Sequence, residues 1–485
     1  MKIKEYIDKY YSKNNKLGYM YNNHNITKVT SNSKDVTKGA VYCHLKNKDY
    51  LSYVNEAIKN GASTLFIPYD CHIKTKKNIN IIKVHNPKIE LARLNKEIYL
   101  SKYSTFPTFI GVTGTTGKTS VSLMIYNVLT NLDKDVLLIG SNGIYSYYAK
   151  TTKVFSTNNT TPNNEIIYKY INQHEMAYDY VVIEVSSQGL VDLRVLGIEF
   201  DYSIVTNFHQ EHLEYHHTES NYLYAKLRLI YNTTKHLIIY NDIEYLNDFI
   251  TCSIIPYTTY GTIEGDYKVK EDVSDLFTNK FILTNKNKHY LIETKLIGKT
   301  NMINICGTVS LLNTIGYPIS TIINCINKIN VIDGRMNLFN VNNRYVIVDY
   351  AHSKYALEQT LSYLKEKTMN KLIVVIGAGG LRDTSNRKFI GEITFKLCDY
   401  VVFTEDNSRS EKVEDIINDI LYNNDLYNNQ NYSICLCRKD AIDYALKISE
   451  ENDVVAIIGK GNEDYIISDK IVLFNDVEYI KSLAF

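Results

Sequence analysis

Thr108-Phe-Ile-Gly-Val-Thr-Gly-Thr-Thr-Gly-Lys-Thr-Ser120 reads as a short apolar strand, a glycine-punctuated turn and the opening of a helix at Lys118-Thr119. Such a turn leaves successive backbone N–H groups pointing inward, where they hold phosphate oxygens at the positive end of the helix. Lys118 adds a point charge for the outer phosphates, and the Thr119 hydroxyl suits Mg²⁺. The spacing departs from the common nucleotide loop: Val112 stands five residues before Gly117, and the glycines are Gly111, Gly114 and Gly117. A glycine-rich hairpin with an incidental lysine is the competing reading. The order of strand, loop and helix favours a bound nucleoside triphosphate.

Working outward, 485 residues exceed what one hydrophobic core supports and suggest about three domains. Apolar residues make up 45% and charged residues 22%, an ordinary balance for a folded chain. A formal charge of +1 gives no electrostatic reason to expect nucleic acid or an anionic membrane as partner. The eight cysteines are scattered without a CxxC pair, which fits a reducing cytoplasm. Cys435-x-Cys437 reads as two thiols on one side of a strand. The N-terminus lacks the apolar core of a signal peptide, and no stretch is long enough to span a membrane. Cytoplasmic location without membrane anchoring is the expectation.

Residues 1–103 form a mixed segment, with strands at Val41–Leu45 and Ser63–Pro68 and a helix at Tyr53–Asn60. Residues 104–331 begin an α/β series: strands Thr108–Thr113, Val136–Gly140, Tyr180–Val185, Ser203–Asn207 and His236–Tyr240, with helices from Lys118, near Asn164–Met176 and at Ser220–Tyr231. Apolar strands separated by helices argue for a parallel sheet covered on both faces. Residues 255–297 read as hairpins. A second α/β series fills 332–485, with strands Tyr345–Asp349, Lys371–Gly377, Tyr400–Thr404, Ser433–Leu436 and Val454–Gly459. The loops after these strands carry the unusual residues, and open parallel sheets bind ligands at that edge.

Glu184, ending an apolar strand, is placed to hold the nucleotide's magnesium. The following strand leads to His209-Gln-Glu-His212-Leu-Glu-Tyr-His216-His217, where four histidines in nine residues invite a zinc reading. No cysteine lies nearby, so magnesium with His212 as one ligand is preferred. Lys226, taken alone, is an exposed helix lysine.

Taken together, these segments resemble the ATP-dependent Mur ligases of peptidoglycan precursor synthesis, and among them the members that add the third residue of the stem peptide. The likeness runs through Gly114-Thr-Thr-Gly-Lys-Thr119, Asn159-Thr-Thr-Pro162, Glu184-Val-Ser-Ser-Gln-Gly-Leu190 with Arg194, Thr206-Asn-Phe-His-Gln-Glu-His-Leu-Glu-Tyr-His216, and Tyr222 to Lys226. It continues through Asn301, Gly334-Arg-Met336, Asp349-Tyr-Ala-His352, Gly379-Gly-Leu-Arg-Asp383 and Gly459-Lys-Gly-Asn-Glu-Asp464. Asn32-Ser33-Lys34 is a fainter echo of the family's uridine-binding turn. The resemblance implies three domains: an N-terminal UDP-substrate domain, a central phosphate-loop ATPase with a parallel sheet, and a C-terminal Rossmann-like α/β domain binding the amino acid.

It also implies roles. Gly114, Thr115, Thr116, Gly117, Lys118, Thr119, Asn301 and Arg335 would contact ATP; Thr119, Glu184, His212 and Lys226 would hold Mg²⁺. Lys226 would be carbamylated by CO₂ to N6-carboxylysine, an anion where an ammonium would repel metal. Ser33, Asn159, Thr160, Thr161, Ser186 and Arg194 would bind UDP-N-acetylmuramoyl-dipeptide. Arg382, Asp406, Asn407, Arg409, Gly459 and Glu463 would bind a diamino acid, with Lys118, Lys226 and His212 nearest the chemistry. Arg409 and Arg382 favour the diacid diaminopimelate over lysine or ornithine, although Ser408 replaces the proline of the family's Asp-Asn-Pro-Arg loop. Further departures are Gln188, Asn337, Leu381, Asn462 and a missing Asp-Gly-His segment near 46–53. The expectation is a monomeric ligase working through an acyl phosphate. A folylpolyglutamate synthase-like ligase and a nucleotide-dependent switch are the alternatives.

Overall fold

Runs of β-branched and aliphatic residues form most of the strands, and most helices lie between them. The structure, a computed structural model, describes residues 1–11, 22–45, 49–75, 78–157, 159–381, 384–422 and 431–484. Arg382 and part of the shortened 46–53 segment lie outside the described residues. The chain divides into two compact units.

The first unit comprises Met1–Gly111, Asp133–Asp201 and Asn232–Thr234. Its N-terminal part is a four-stranded parallel sheet of Val29–Thr30, Val41–Cys43, Thr64–Pro68 and Asn80–Val84. Side chains alternate across it, as period-two geometry dictates. Tyr42, Leu65 and Ile67 pack against Val54, Ala57 and Ile58 of helix Tyr50–Asn60. Val41, Cys43 and Phe66 pack on the other face against Ile3, Tyr6, Leu91 and Leu94. The same unit holds Val136–Gly140, parallel to Tyr180–Glu184 and flanked by the antiparallel strands Gly143–Tyr148 and Thr151–Phe155.

The second unit comprises Val112–Leu132, Tyr202–Tyr231 and Lys235–Phe485. Helix Lys118–Asn131 packs with Lys299–Ile315, whose buried residues lie all around its circumference. Gly307 in that helix lets the Tyr260 ring approach, since a Cβ there would lie 2.7 Å from its Cζ. The hairpins expected over 255–297 are Tyr267–Ser274, Asn279–Asn285 and Lys288–Thr294, paired antiparallel; Tyr257–Gly261 instead pairs parallel with the strand before it.

The C-terminal part is a six-stranded sheet in the order Asn337–Val341, Arg344–Asp349, Val454–Ile458, Leu372–Ile376, Tyr400–Phe403, Tyr432–Ile434, parallel except for the first pair. Helices cover both faces with two apolar layers. The loops at 350–353, 377–381, 404–409 and 459–464 therefore meet at one carboxyl edge. The last strand stops at Ile434, and Cys437 is the N-cap of helix Arg438–Ile448, so the two thiols do not alternate on a strand as expected. Among the described residues no helix is long and apolar enough to cross a membrane.

Candidate active site

Strand Thr108–Thr113 has the bounds read from the sequence, and helix Lys118–Asn131 starts where it was read. Between them, Gly114 at φ +148° and Gly117 at φ +80° take left-handed conformations that side chains rarely adopt. Both also face close neighbours: a Cβ on Gly114 would lie 1.9 Å from Thr206 Oγ1, and one on Gly117 2.7 Å from Asn304 Oδ1. The turn is tied to the segment after strand Phe200–Val205. Asn207 Oδ1 accepts from Thr115 N (3.0 Å) and Thr116 N (2.9 Å), and Thr206 Oγ1 donates to Thr116 O at 2.5 Å. Lys118 Nζ donates to Gly114 O and Thr115 O, each at 2.8 Å, across the mouth of the loop.

Lys226 reaches the same carbonyl. Its Nζ donates to Gly114 O at 2.7 Å, and the residue is 1% exposed. Burial, reinforced by the Lys118 charge, holds its ammonium well below the usual lysine range, with Glu211 opposing. The exposed-lysine reading is thereby overturned: helix Glu219–Tyr231 turns this position inward, beneath the phosphate loop. Tyr222, one turn earlier, places its hydroxyl 3.0 Å from Thr115 Oγ1 and its ring 4.6 Å from Lys226 Nζ.

His212, at φ +59°, lies with Nε2 3.8 Å from Glu211 and Nδ1 3.5 Å from Glu214. Burial lowers its pKa against the pull of Glu211. Glu211 also faces His352 Nε2 at 3.7 Å, and His209 stacks on Tyr355 at 3.6 Å. Arg335 comes to the loop as well, its Nη2 3.4 Å from Thr119 Oγ1 and its guanidinium 4.2 Å from the Tyr350 ring centroid. Asn301 is buried and donates to Ile297 O at 2.8 Å. Lys118, Thr119, Lys226 and Arg335 are thus gathered in the second unit. Among the described residues no three His, Cys, Asp or Glu side chains gather as a metal centre.

The first unit holds a separate cluster. Glu184 is 1% exposed; its Oε1 accepts from Ser141 N (3.1 Å) and its Oε2 from Ser141 Oγ (3.2 Å), while Thr160 Oγ1 lies 2.8 Å from Ser141 Oγ. Gly140 permits this, because a Cβ there would lie 2.0 Å from Glu184 Oε1. Thr161 Oγ1 donates to Glu184 O, and Arg194 Nη1 to Thr161 O at 2.9 Å. Ser186 caps helix Ser187–Val191. Asn159 is described in the turn before Thr160. Ser33 donates to Glu56 Oε2 at 2.5 Å, and Ser31 N and Oγ both donate to Glu165.

At the carboxyl edge of the six-stranded sheet, Asn407 Nδ2 donates to Glu463 Oε2 at 2.9 Å. Arg409, at φ +57°, donates through Nη1 to Gly380 O (2.5 Å) and Asn407 O (3.1 Å). Asp406 Oδ2 would lie 3.0 Å from a Cβ on Gly459.

Two family models match in order: the Mur ligase middle domain over residues 112–312, and the Mur ligase glutamate ligase domain over 334–461. A UDP-N-acetylmuramoyl-L-alanyl-D-glutamate–2,6-diaminopimelate ligase of Clostridium botulinum is 32% identical over 471 residues, covering 95% of this chain and 96% of that one. The chain belongs to the Mur ligase family. A protein of the same name from Rickettsia conorii is 31% identical over 481 residues, covering 96% and 97%. A solved structure of a UDP-N-acetylmuramoyl-L-alanyl-D-glutamate–2,6-diaminopimelate ligase superposes with TM-score 0.66 at 24% identity, covering 95% of this chain and 94% of that one. A MurF ligase from Thermotoga maritima in complex with ADP gives 0.64 at 18%, covering 89% and 93%.

Several residues of this Mur ligase escaped sequence reasoning. Asn207 and Asn304 shape the phosphate loop, Glu211 sits between His212 and His352, and Lys460 lies buried beneath Asn407. Asn207 could have been found from its place at a strand end beside the loop, the position from which Glu184 was found. Asn337 Oδ1 accepts from Arg335 N at 3.1 Å, as a carboxylate would.

Proposed function

We propose that this chain is an ATP-dependent, ADP-forming ligase that adds the third stem-peptide residue, diaminopimelate, to UDP-N-acetylmuramoyl-L-alanyl-D-glutamate. The observation that carries this is full-length similarity to ligases of that name, joined to a phosphate loop with Lys118 and the buried Lys226 on one carbonyl. Three functional regions, 1–103, 104–331 and 332–485, would bind the UDP substrate, ATP and the amino acid.

The reaction joins a carboxylate to an amine. The free carboxylate attacks the γ-phosphorus of ATP and ADP leaves, giving an acyl phosphate. The amine then adds to its carbonyl, and phosphate leaves the tetrahedral adduct as the amide forms. Two anions meet in the first step, so fixed positive charge is what the protein supplies: Lys118 at the outer phosphates, the loop N–H groups, and Arg335 beside Thr119. The Thr119 hydroxyl is an oxygen donor that fits Mg²⁺, which when bound would shield the phosphates, and the His212 imidazole would serve it as a nitrogen ligand. The Lys226 ammonium does not fit a cation; its carbamate would. Thr160, Thr161, Ser186 and Arg194 would hold the muramoyl-peptide, with Asn159 and Ser33 in reach of the nucleotide-sugar.

Arg409 would read the distal carboxylate of diaminopimelate and Glu463 its distal ammonium, with Asn407 also at the acceptor. Purified protein with UDP-N-acetylmuramoyl-dipeptide and ATP should sustain ADP release over many turnovers only when diaminopimelate is added. ADP release indifferent to every amine would refute the ligase reading. Release with lysine but not diaminopimelate would refute the acceptor alone. Arg409→Ala should impair use of diaminopimelate and leave ATP binding intact.

A further inference from the structure

We propose that Lys460 is a positioning residue that sets acceptor selectivity by fixing the Asn407 amide and part-neutralising the Glu463 carboxylate; this rests on the ligase reading above. Lys460 follows strand Val454–Ile458 and is 0% exposed, so it cannot meet the acceptor itself. Its Nζ lies 2.8 Å from Glu463 Oε2, 3.4 Å from Asn407 Oδ1 and 4.0 Å from Asp406 Oδ1. Asn407 Oδ1 accepts a second hydrogen bond from Ile467 N at 2.9 Å. Two donors on that oxygen decide which way the amide faces, so Nδ2 must point at Glu463 Oε2, 2.9 Å away. The other Glu463 oxygen accepts from Tyr350 OH at 3.3 Å, and the Tyr350 ring carries the Arg335 guanidinium.

Glu463, with its side chain 26% exposed, is the member of this cluster open to solvent. Lys460 cancels part of its charge from below. With Lys460 neutral, Glu463 and Asp406 would present a stronger negative field to the acceptor pocket. A cationic acceptor such as lysine or ornithine would then gain relative to a diacid. Intact Lys460 therefore favours the acceptor that carries a second carboxylate. A residue that merely held the loop together would weaken all acceptors equally.

The test measures KM and kcat of the full chain for diaminopimelate and for lysine, at saturating ATP and UDP-N-acetylmuramoyl-dipeptide. Lys460→Met should raise the diaminopimelate KM about tenfold, because the Glu463 carboxylate and Asn407 amide lose the group that sets their charge and orientation. The kcat/KM ratio of diaminopimelate to lysine should shift toward lysine, and KM for ATP should hold. Lys460→Gln, which keeps a donor without the charge, should shift the ratio the same way. Glu463→Gln, at a part-exposed position, should reduce the effect of Lys460 substitution on the ratio, since Glu463 is the nearest carboxylate to Lys460. Unchanged acceptor KM and ratio in folded Lys460→Gln would overturn the proposal, as would an equal loss for both acceptors. If the Lys460 variants do not fold, an unaltered ratio in Glu463→Gln overturns it. Wild type inactive with every amine would sink the ligase reading, and this inference with it.

Discussion

Lys226→Met separates the chemistry of the site from the stability of the fold. Lys226 is 1% exposed, donates one hydrogen bond to Gly114 O at 2.7 Å and lies 4.6 Å from the Tyr222 ring centroid. Methionine keeps the unbranched stem and deletes the charged head. The change removes a hydrogen bond of about 1.5–3 kcal/mol, but also the cost of holding a desolvated cation beside Lys118, which is of similar size and opposite sign. Unfolding free energy should therefore change by less than about 1.5 kcal/mol. Lys226→Ala instead leaves a cavity and should cost about 2–4 kcal/mol. Both variants lose the amine; burial and the Lys118 charge disfavour its ammonium form, which eases access to the neutral form that adds to CO₂. Addition forms an N–C bond and releases one proton, leaving a carbamate. Ligation should fall at least roughly a hundredfold in both, about 2.7 kcal/mol of transition-state stabilisation. With no tryptophan in the chain, urea unfolding is best followed by far-UV circular dichroism. ADP release reports ligation, and ¹³C-bicarbonate should give a carbamate resonance in wild type alone. Wild-type ligation by Lys226→Met would refute the argument, and so would a wild type without that resonance.

Gly114→Ala must move Thr206, whose Oγ1 would lie 1.9 Å from the new Cβ, so it should cost about 1–3 kcal/mol of stability and weaken ATP binding; an unchanged urea midpoint would count against the loop geometry. Arg438 and Asp476 are both 0% exposed and joined at 2.9 and 2.7 Å, so Arg438→Met should cost about 3–5 kcal/mol by stranding a buried carboxylate, and Arg438→Met with Asp476→Leu should recover most of it. His216 has its pKa lowered to about 4, first by burial and then by the charges of His212 and Lys226. The unfolded chain takes up that proton near pH ~6.5 and the folded chain does not, so stability should fall by about 2–3 kcal/mol as pH drops from ~6.5 to ~4 and then level off. A His216→Gln variant should lack that slope in urea titrations at successive pH values.

Contiguous residues determined a good deal of this protein on their own. The phosphate loop, the strand before it and the helix after it are legible because strand periodicity, glycine freedom and helix-terminal N–H groups are all local properties. The carboxyl-edge loops of the second α/β series are legible for the same reason, since each follows an apolar run. Arg335 beside Thr119 was within reach of sequence only through family likeness, because the two stand 216 positions apart. Burial of Lys226, 112 residues from the carbonyl it meets, was not legible in its own helix, and only family likeness pointed to a role there. An ammonium on an amphipathic helix looks the same in sequence whether it faces water or a packed loop. Asn207 holding two loop amides, Lys460 under Asn407 and the Arg438–Asp476 pair depend on strands far apart in the chain becoming neighbours. Desolvation and hydrogen-bond geometry exist only once the chain has folded, and these two quantities give the same side chains their chemical roles.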